Sequence, residues 1–305
     1  MANILVVGSL NTDLVVRAPR FPQPGETITG EDLHVIPGGK GANQAVAAAR
    51  LGANVSMLGR VGKDNFGDFL LKNLQSNHVD TQFVPLDDAS TGTATIIVDG
   101  NGQNSIVISA GANGQVSVMD VENASFSGFG LLLLQLEIPI PTVLRAAQRA
   151  CENGLRVILN PAPARSLPNE LIALADFLIP NETELSLLTS MEVKDIPSAE
   201  KAAHILLERG VKNVIVTLGS KGALIVDRDS STHVDTFKVN VVDTTAAGDA
   251  FIGGFANALL ENKSLKEAVR FGCACGALAA TKFGAQPSLP TKEEVERFMS
   301  LQEGT

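Results

Sequence analysis

The chain of 305 residues contains no tryptophan and no tyrosine, and phenylalanine is its only aromatic residue of that group. Proteins that stack nucleobases usually lean on several ring types. Basic clusters are missing too: 24 Lys and Arg stand against 33 Asp and Glu, a formal net charge of −9. Polyanion binders carry a basic stripe, so no nucleic-acid partner is expected. A small anion is a different case, because backbone dipoles can hold one without positive net charge. Only three cysteines occur, Cys151, Cys273 and Cys275. They cannot form a full disulfide framework, and small buried hydrophobes in a reducing compartment are the expectation. No apolar run is long enough for a membrane span, and "MANILVVGS" runs into a strand without a basic leader. Cytoplasm, and no membrane partner, is the expected setting.

Familiar chemical signatures are absent as well. There is no G-x-x-x-x-G-K-[ST] and no G-x-G-x-x-G after the first strand. The four histidines are scattered, which gives zinc, haem and Ser-His-Asp chemistry little support.

What is present alternates. "NILVVGSLN", "NVSMLGRVG", "LLLLQLEIP", "RVILNPAP", "FLIPN" and "VIVTLGS" read as strands, and helical patterns separate most of them. Continuous apolar strands between helices predict a mostly parallel sheet covered on both faces. "GALIVD" and "THVDTF" suggest a late antiparallel pair. "TGTATIIVDGNGQNSIVISAG" reads as a hairpin turning at Asp99–Gly102. With the Pro- and Gly-punctuated stretch before Lys40, it predicts a small β excursion from a single α/β domain. The excursion, about 14–37 and 91–109, could act as a lid over the strand ends, where ligands of such sheets sit.

Several stretches concentrate chemistry. "VNVVDTTAAGDAFIGGF" places tiny residues before Asp249 where a helix begins. The N–H groups of Ala246, Ala247 and Gly248 would be uncovered there and able to meet an oxyanion. Asp249 could then accept a proton from a hydroxyl nucleophile, or it could simply complement the helix dipole. "PGGKGANQA" offers Lys40 and Asn43 beside paired glycines, and equally reads as a Gly-rich turn. Asn11 and Asp13 would share one side of a continued strand, an amide and a carboxylate suited to polyol hydroxyls, unless they are turn residues. Glu137, at the end of "LLLLQLE", would be an unpaired charge if buried, which makes it a ligand candidate. In "PNETE", Asn181 and Glu184 form either a capping pattern or a pair that orients Mg²⁺ waters.

Together "GSLNTD", "GGKGANQAVAAARLGA", "NPAPAR", "PNETE", "TLGSKG", "DTTAAGD" and "GAQPS" occur in an order that resembles the ribokinase-like, phosphofructokinase-B-type sugar kinases, from Ile4 to about Pro290. Within that family, "NPAPAR" with "GAQPS" most resembles the members that act on D-ribose. The resemblance implies a three-layer α/β sandwich with a β lid and ATP-dependent phosphorylation of D-ribose at O5. It places Asp249 as the base, with Ala246, Ala247 and Gly248 as the anion hole. Asn11, Asp13, Gly39, Lys40, Asn43 and Glu137 fall on sugar positions. Asn181, Thr217, Gly219, Ser220, Gly222 and Cys273 fall on nucleotide positions, and Glu184 falls near the Mg²⁺–phosphate region. It further implies K⁺ at Asp243, Thr245, Ala279, Lys282, Gly284 and Ser288, and a homodimer formed through the lids. Two positions depart from the pattern: Cys273 stands where a larger polar residue is expected, and Thr245 replaces an aliphatic one. Other sugar or nucleoside kinases of the family, or a catalytically silent sugar-binding protein, are the alternatives.

Overall fold

The computed structural model describes residues 3–303. Nine strands form its main sheet, in the spatial order Ser231–Val234, Ala223–Val226, Asn213–Thr217, Phe177–Leu178, Arg156–Leu159, Phe129–Leu134, Asn3–Val7, Val55–Leu58, Val79–Phe83. All neighbours are parallel except the two pairs involving Ala223–Val226, which are antiparallel. The late antiparallel pair expected from "GALIVD" and "THVDTF" is therefore present.

The apolar runs are continuous because both faces of the sheet are buried. Ile4 and Val6, with Leu131 and Leu133, pack on one face; Leu5 and Val7, with Leu132 and Leu134, pack on the other. Alternation of side chains along a strand sends successive residues to opposite cores. Burying each of these side chains contributes roughly 1.5–3 kcal/mol, so a charge placed in either run would be strongly destabilising.

The first core is closed by the helices Lys40–Arg50, Ala247–Leu260 and Leu265–Ala279. Their small residues permit close approach: a Cβ added at Gly253 would stand 2.5 Å from the Ala47 Cβ. Cys275 packs in the same seam, its Sγ 2.6 Å from where a Gly254 Cβ would be. Cys151, Cys273 and Cys275 are all free thiols. A further helix, Lys292–Glu303, follows Leu265–Ala279.

A second sheet, ordered His34–Gly38, Asn11–Arg17, Gly92–Val98, Asn104–Ser109, stands off the carboxyl edge. Its hairpin turns at Asp99, whose backbone N–H donates to Gln103 O at 2.9 Å. "NILVVGSLN" is thus not one strand. Asn3–Val7 ends in the main sheet, and Asn11 opens the first strand of the small one, so Asn11 and Asp13 share a side.

Candidate active site

The carboxyl ends of the central strands converge on one point. Phe129–Leu134 delivers Gln135 and Glu137, Arg156–Leu159 delivers Asn160, and Phe177–Leu178 leads to Asn181. The helix Lys40–Arg50 starts beneath the small sheet, and Ala247–Leu260 starts beside it. This is where open parallel sheets hold ligands.

Asp249 lies in the first turn of Ala247–Leu260 and is only 5% exposed. Asn43 Nδ2 donates to its Oδ2 at 2.9 Å and Gln44 Nε2 to its Oδ1 at 3.0 Å. Burial raises its pKa, against the pull of Lys40 and of the two amides, and Glu137 adds to the rise. Burial alone would depress Lys40, but Asp249, Glu137, Glu184 and Asp13 together hold it above the usual value. The centre is one ammonium among four carboxyl groups.

Asn11, Asp13, Gly39, Lys40, Asn43, Glu137 and Asp249 gather here. The paired glycines are required by close approach. A Cβ on Gly38 would stand 2.2 Å from Asp13 Oδ2, and one on Gly39, whose φ is +88°, 2.6 Å from the Asn11 nitrogen. Asp13 is buried, and burial with Glu137 and Asp249 pushes its pKa to about 7, Lys40 opposing. Glu137 is only half buried and is not the unpaired charge its position suggested. Its Oε2 accepts from Ser9 Oγ at 2.6 Å and from the Lys40 N–H at 3.0 Å. It thereby serves a helix start whose own N-cap, Gly39, has no side chain to offer.

At the start of Ala247–Leu260 the structure corrects one expectation. The Ala247 N–H is engaged, donating to Thr244 O at 3.2 Å, because the turn closes on itself. The N–H groups of Ala246, Gly248 and Asp249 have no acceptor among the described residues. A Cβ on Gly248 would meet nothing within 4 Å, so this backbone faces open space. Gly248→Ala is therefore expected to leave the melting temperature unchanged while lowering kcat on the order of 100-fold, by covering the amides. Turnover equal to the parent's would show that no anion needs that space.

Asn181 and Glu184 form a reciprocal capping box on the helix Glu182–Thr189, with Glu184 N–H to Asn181 Oδ1 at 2.8 Å and Asn181 N–H to Glu184 Oε2 at 2.9 Å. Glu184 is nevertheless buried within electrostatic reach of Lys40 and Asp249, and burial raises its pKa. Asn181 bridges to Thr217, and Gly219, Ser220 and Gly222 form the turn that follows. Cys273 is buried in Leu265–Ala279 beside Thr236, and burial pushes its thiol up to about 12.

Asp243 ties two loops together. It accepts from the Thr245 N–H and hydroxyl and from the Gly284 N–H at 2.9 Å. Burial alone would raise its pKa, but these donors and Arg17 hold it below the usual value. Nearby, Ala279 O accepts from the Lys282 N–H and Ser288 Oγ donates to Ala285 O, while the Lys282 ammonium pairs with Glu294 at 2.7 Å. A cavity of 790 Å³ runs from here beneath the small sheet, lined by Asp13, Ile36, Ile96, Asp243, Thr245 and Gly284 among others.

Sequence reasoning passed over Ser9, Gln44, Asn113, Gln135 and Asn160. Asn113, fully buried, donates to Asn11 Oδ1 at 2.7 Å and to Leu10 O at 2.9 Å, and so aims the Asn11 NH₂ away from itself. Amides at the ends of "LLLLQ" and "VILN", and within an alanine-rich helix, were the available signal, since buried polar groups need partners.

A buried carboxylate beside bare helix-start amides, at the mouth of a parallel sheet and under a small β-sheet, defines a group-transfer enzyme. The pattern of the pfkB family carbohydrate kinases matches residues 1–292. A ribokinase of Haemophilus influenzae is 46% identical over 299 residues, covering 97% of this chain and 98% of the relative. A deoxyribokinase of Salmonella typhi is 41% identical over 305 residues, covering 99% and 100%. The structure of Arabidopsis thaliana ribokinase complexed with ribose and ATP superposes with a TM-score of 0.90 at 36% identity, covering 98% of this chain and 99% of that one. The chain belongs to the pfkB family of carbohydrate kinases.

Proposed function

We propose that this chain transfers the γ-phosphoryl group of ATP to O5 of D-ribose, giving D-ribose 5-phosphate and ADP. The observation that carries the reading is the buried Asp249 carboxylate next to the uncovered Ala246 and Gly248 amides. Its support in specificity is the near full-length similarity to ribokinases, one of them complexed with ribose and ATP.

Asn11, Asp13, Gly39, Lys40, Asn43 and Glu137 would hold the sugar. Asp249 takes the O5 proton as the O5–H bond breaks. The released electron pair of O5 forms the bond to γ-phosphorus, and the bridging oxygen leaves with its electrons on ADP. Bare amides stabilise the equatorial oxygens, with Ala247 contributing the shape of the turn and not a donor. Positioning and charge stabilisation are what such a loose transition state asks of a protein. Asn181, Thr217, Gly219, Ser220 and Gly222 would line the nucleotide, with Cys273 as an apolar wall.

No group of three or more His, Cys, Asp and Glu among the described residues could cage a metal. Mg²⁺ would therefore come with the nucleotide phosphates and neutralise their charge, near Glu184. One carboxylate, Asp243, with backbone carbonyls of Thr245, Ala279, Lys282 and Gly284 and the Ser288 hydroxyl, is a hard, weakly charged oxygen set that fits K⁺. Rates in Na⁺ are expected to fall well below those in K⁺, and Asp243→Ala to abolish the difference. Equal parental rates in the two salts would remove the cation assignment.

The small sheet would close as a lid over the sugar. Its edge strand Asn104–Ser109 is exposed throughout, including Ile106, Val107 and Ile108, a surface suited to a second copy's lid. A single-chain mass in sedimentation equilibrium would overturn the homodimer. The free thiols suit a reducing compartment such as the cytoplasm. No helix among the described residues is long and apolar enough to cross a membrane.

The deciding experiment is a coupled ADP assay with ATP, Mg²⁺ and K⁺ on a panel of D-ribose, 2-deoxy-D-ribose, D-fructose and adenosine. D-ribose should give the highest kcat/KM. Preference for 2-deoxy-D-ribose would move the assignment to the deoxyribokinase reading, and no ADP on any sugar would end it.

A further inference from the structure

Behind Asp249 lies a chain of buried amides. Gln44 is fully buried, and its Nε2 donates to both Asp249 Oδ1, at 3.0 Å, and Asn160 Oδ1, at 3.2 Å. Its Oε1 accepts from Gln135 Nε2 at 2.6 Å, and Asn160 Nδ2 donates to Ile179 O at 3.0 Å. The elements involved are the helix Lys40–Arg50 and the loops following three adjacent strands.

The direction of this chain follows from its ends. Ile179 offers a carbonyl, which only accepts, so Asn160 must turn its NH₂ that way and its oxygen toward Gln44. Gln44 must then present its own NH₂ to Asn160, and the same NH₂ reaches Asp249. An ionised carboxylate, also a pure acceptor, demands the same orientation from the other side. Gln135 conforms at a cost, since its Oε1 is left buried without a partner. Gln44 cannot turn over, because its oxygen would then oppose Asn160 Oδ1 and its NH₂ would oppose that of Gln135.

Asn43 is different. Its Nδ2 donates to Asp249 Oδ2, while its Oδ1 is buried and has no partner. Rotating this amide by half a turn would let its oxygen accept a proton carried on Oδ2. The two oxygens of the carboxylate are therefore not equivalent: Oδ1 faces a locked donor and Oδ2 a reversible one.

We infer that Gln44 and Asn160 are positioning residues which hold Asp249 ionised and direct the substrate proton to Oδ2. This rests on the reading of Asp249 as the base. The other charged groups facing Asp249 are Lys40, Glu137, Asp13 and Glu184, and all remain in the variants below.

The test is the pH profile of kcat at saturating ribose and ATP for Gln44→Met and Asn160→Ala. Without its locked donor the carboxylate should bind its proton more tightly. At the lowest pH where the parent still turns over fully, Gln44→Met should be slower on the order of tenfold, with the deficit closing as pH rises. Asn160→Ala should shift in the same direction by less, and ribose affinity by calorimetry should stay within a few-fold of the parent in both. A merely structural role would lower kcat equally at every pH, and that result overturns the inference. If Gln44→Met does not fold, Asn160→Ala decides alone, and a profile superposable on the parent's overturns it. Failure of the base reading looks different, since Asp249→Asn would then turn over normally.

Discussion

Asp249→Asn is expected to lower kcat by roughly 10³-fold while ribose still binds with near-parental affinity. Asparagine keeps the volume and one oxygen but cannot take the O5 proton. Its NH₂ would also oppose either Asn43 Nδ2 or Gln44 Nε2, the donors now satisfied by the carboxylate. Asn43 can turn its oxygen to meet it, so the fold should tolerate the change. The measurement is kcat in the ADP assay together with calorimetric ribose binding. Turnover within tenfold of the parent would exclude Asp249 as the base, whereas loss of ribose binding with unchanged kcat would make it a sugar ligand only.

Asp13→Asn is expected to act in opposite directions on activity and stability. The Asp13 carboxyl has a pKa of about 7 in the folded protein, against an ordinary 3.8, chiefly through burial and then through Glu137 and Asp249. Between those two values the folded chain keeps a proton that the unfolded chain has lost. Stability from this group is therefore full below about pH 4 and is lost as pH rises toward and through about 7. At pH 8 the buried charge costs on the order of 4 kcal/mol. Asparagine carries no such charge, so the variant should melt several degrees higher than the parent at pH 8 and close to it near pH 4. Its kcat/KM for ribose should fall roughly 100-fold through loss of a charged hydrogen-bond acceptor. In the parent, ribose affinity should improve as pH rises through about 7. A variant that melts lower than the parent at pH 8 would show that Asp13 is already stabilised as a carboxylate.

The apolar strands were readable from the chain because each is a local pattern with a local cause. A fully buried parallel strand must be apolar on both sides, whereas Gly38–Gly39 must be bare because Asn11 and Asp13, from another strand, press on them. Asp249 was readable as a candidate, but its setting was not. Gln44, Gln135 and Asn160 meet only because two adjacent strands end beside the helix Lys40–Arg50, which no spacing along the chain encodes. The Ala247 amide was misjudged for a different reason, since its engagement by Thr244 depends on how tightly one turn closes. Of the two readings of "PNETE", the capping box is the one observed, and Glu184 lies near Lys40 and Asp249 as well. Glu137, expected as an unpaired charge, has two partners instead, Ser9 and the Lys40 amide, which come from other elements.

The bond from Asn43 to Asp249 spans 206 residues. During vectorial synthesis the segment that carries Asn43 is therefore finished long before its acceptor. It cannot complete the reacting centre until Ala247–Leu260 has left the ribosome and docked on Lys40–Arg50. A chain that ends before Ala247–Leu260 lacks Asp249 and the amides of that helix start. The centre proposed for the chemistry is thus assembled late, from parts made far apart in the message.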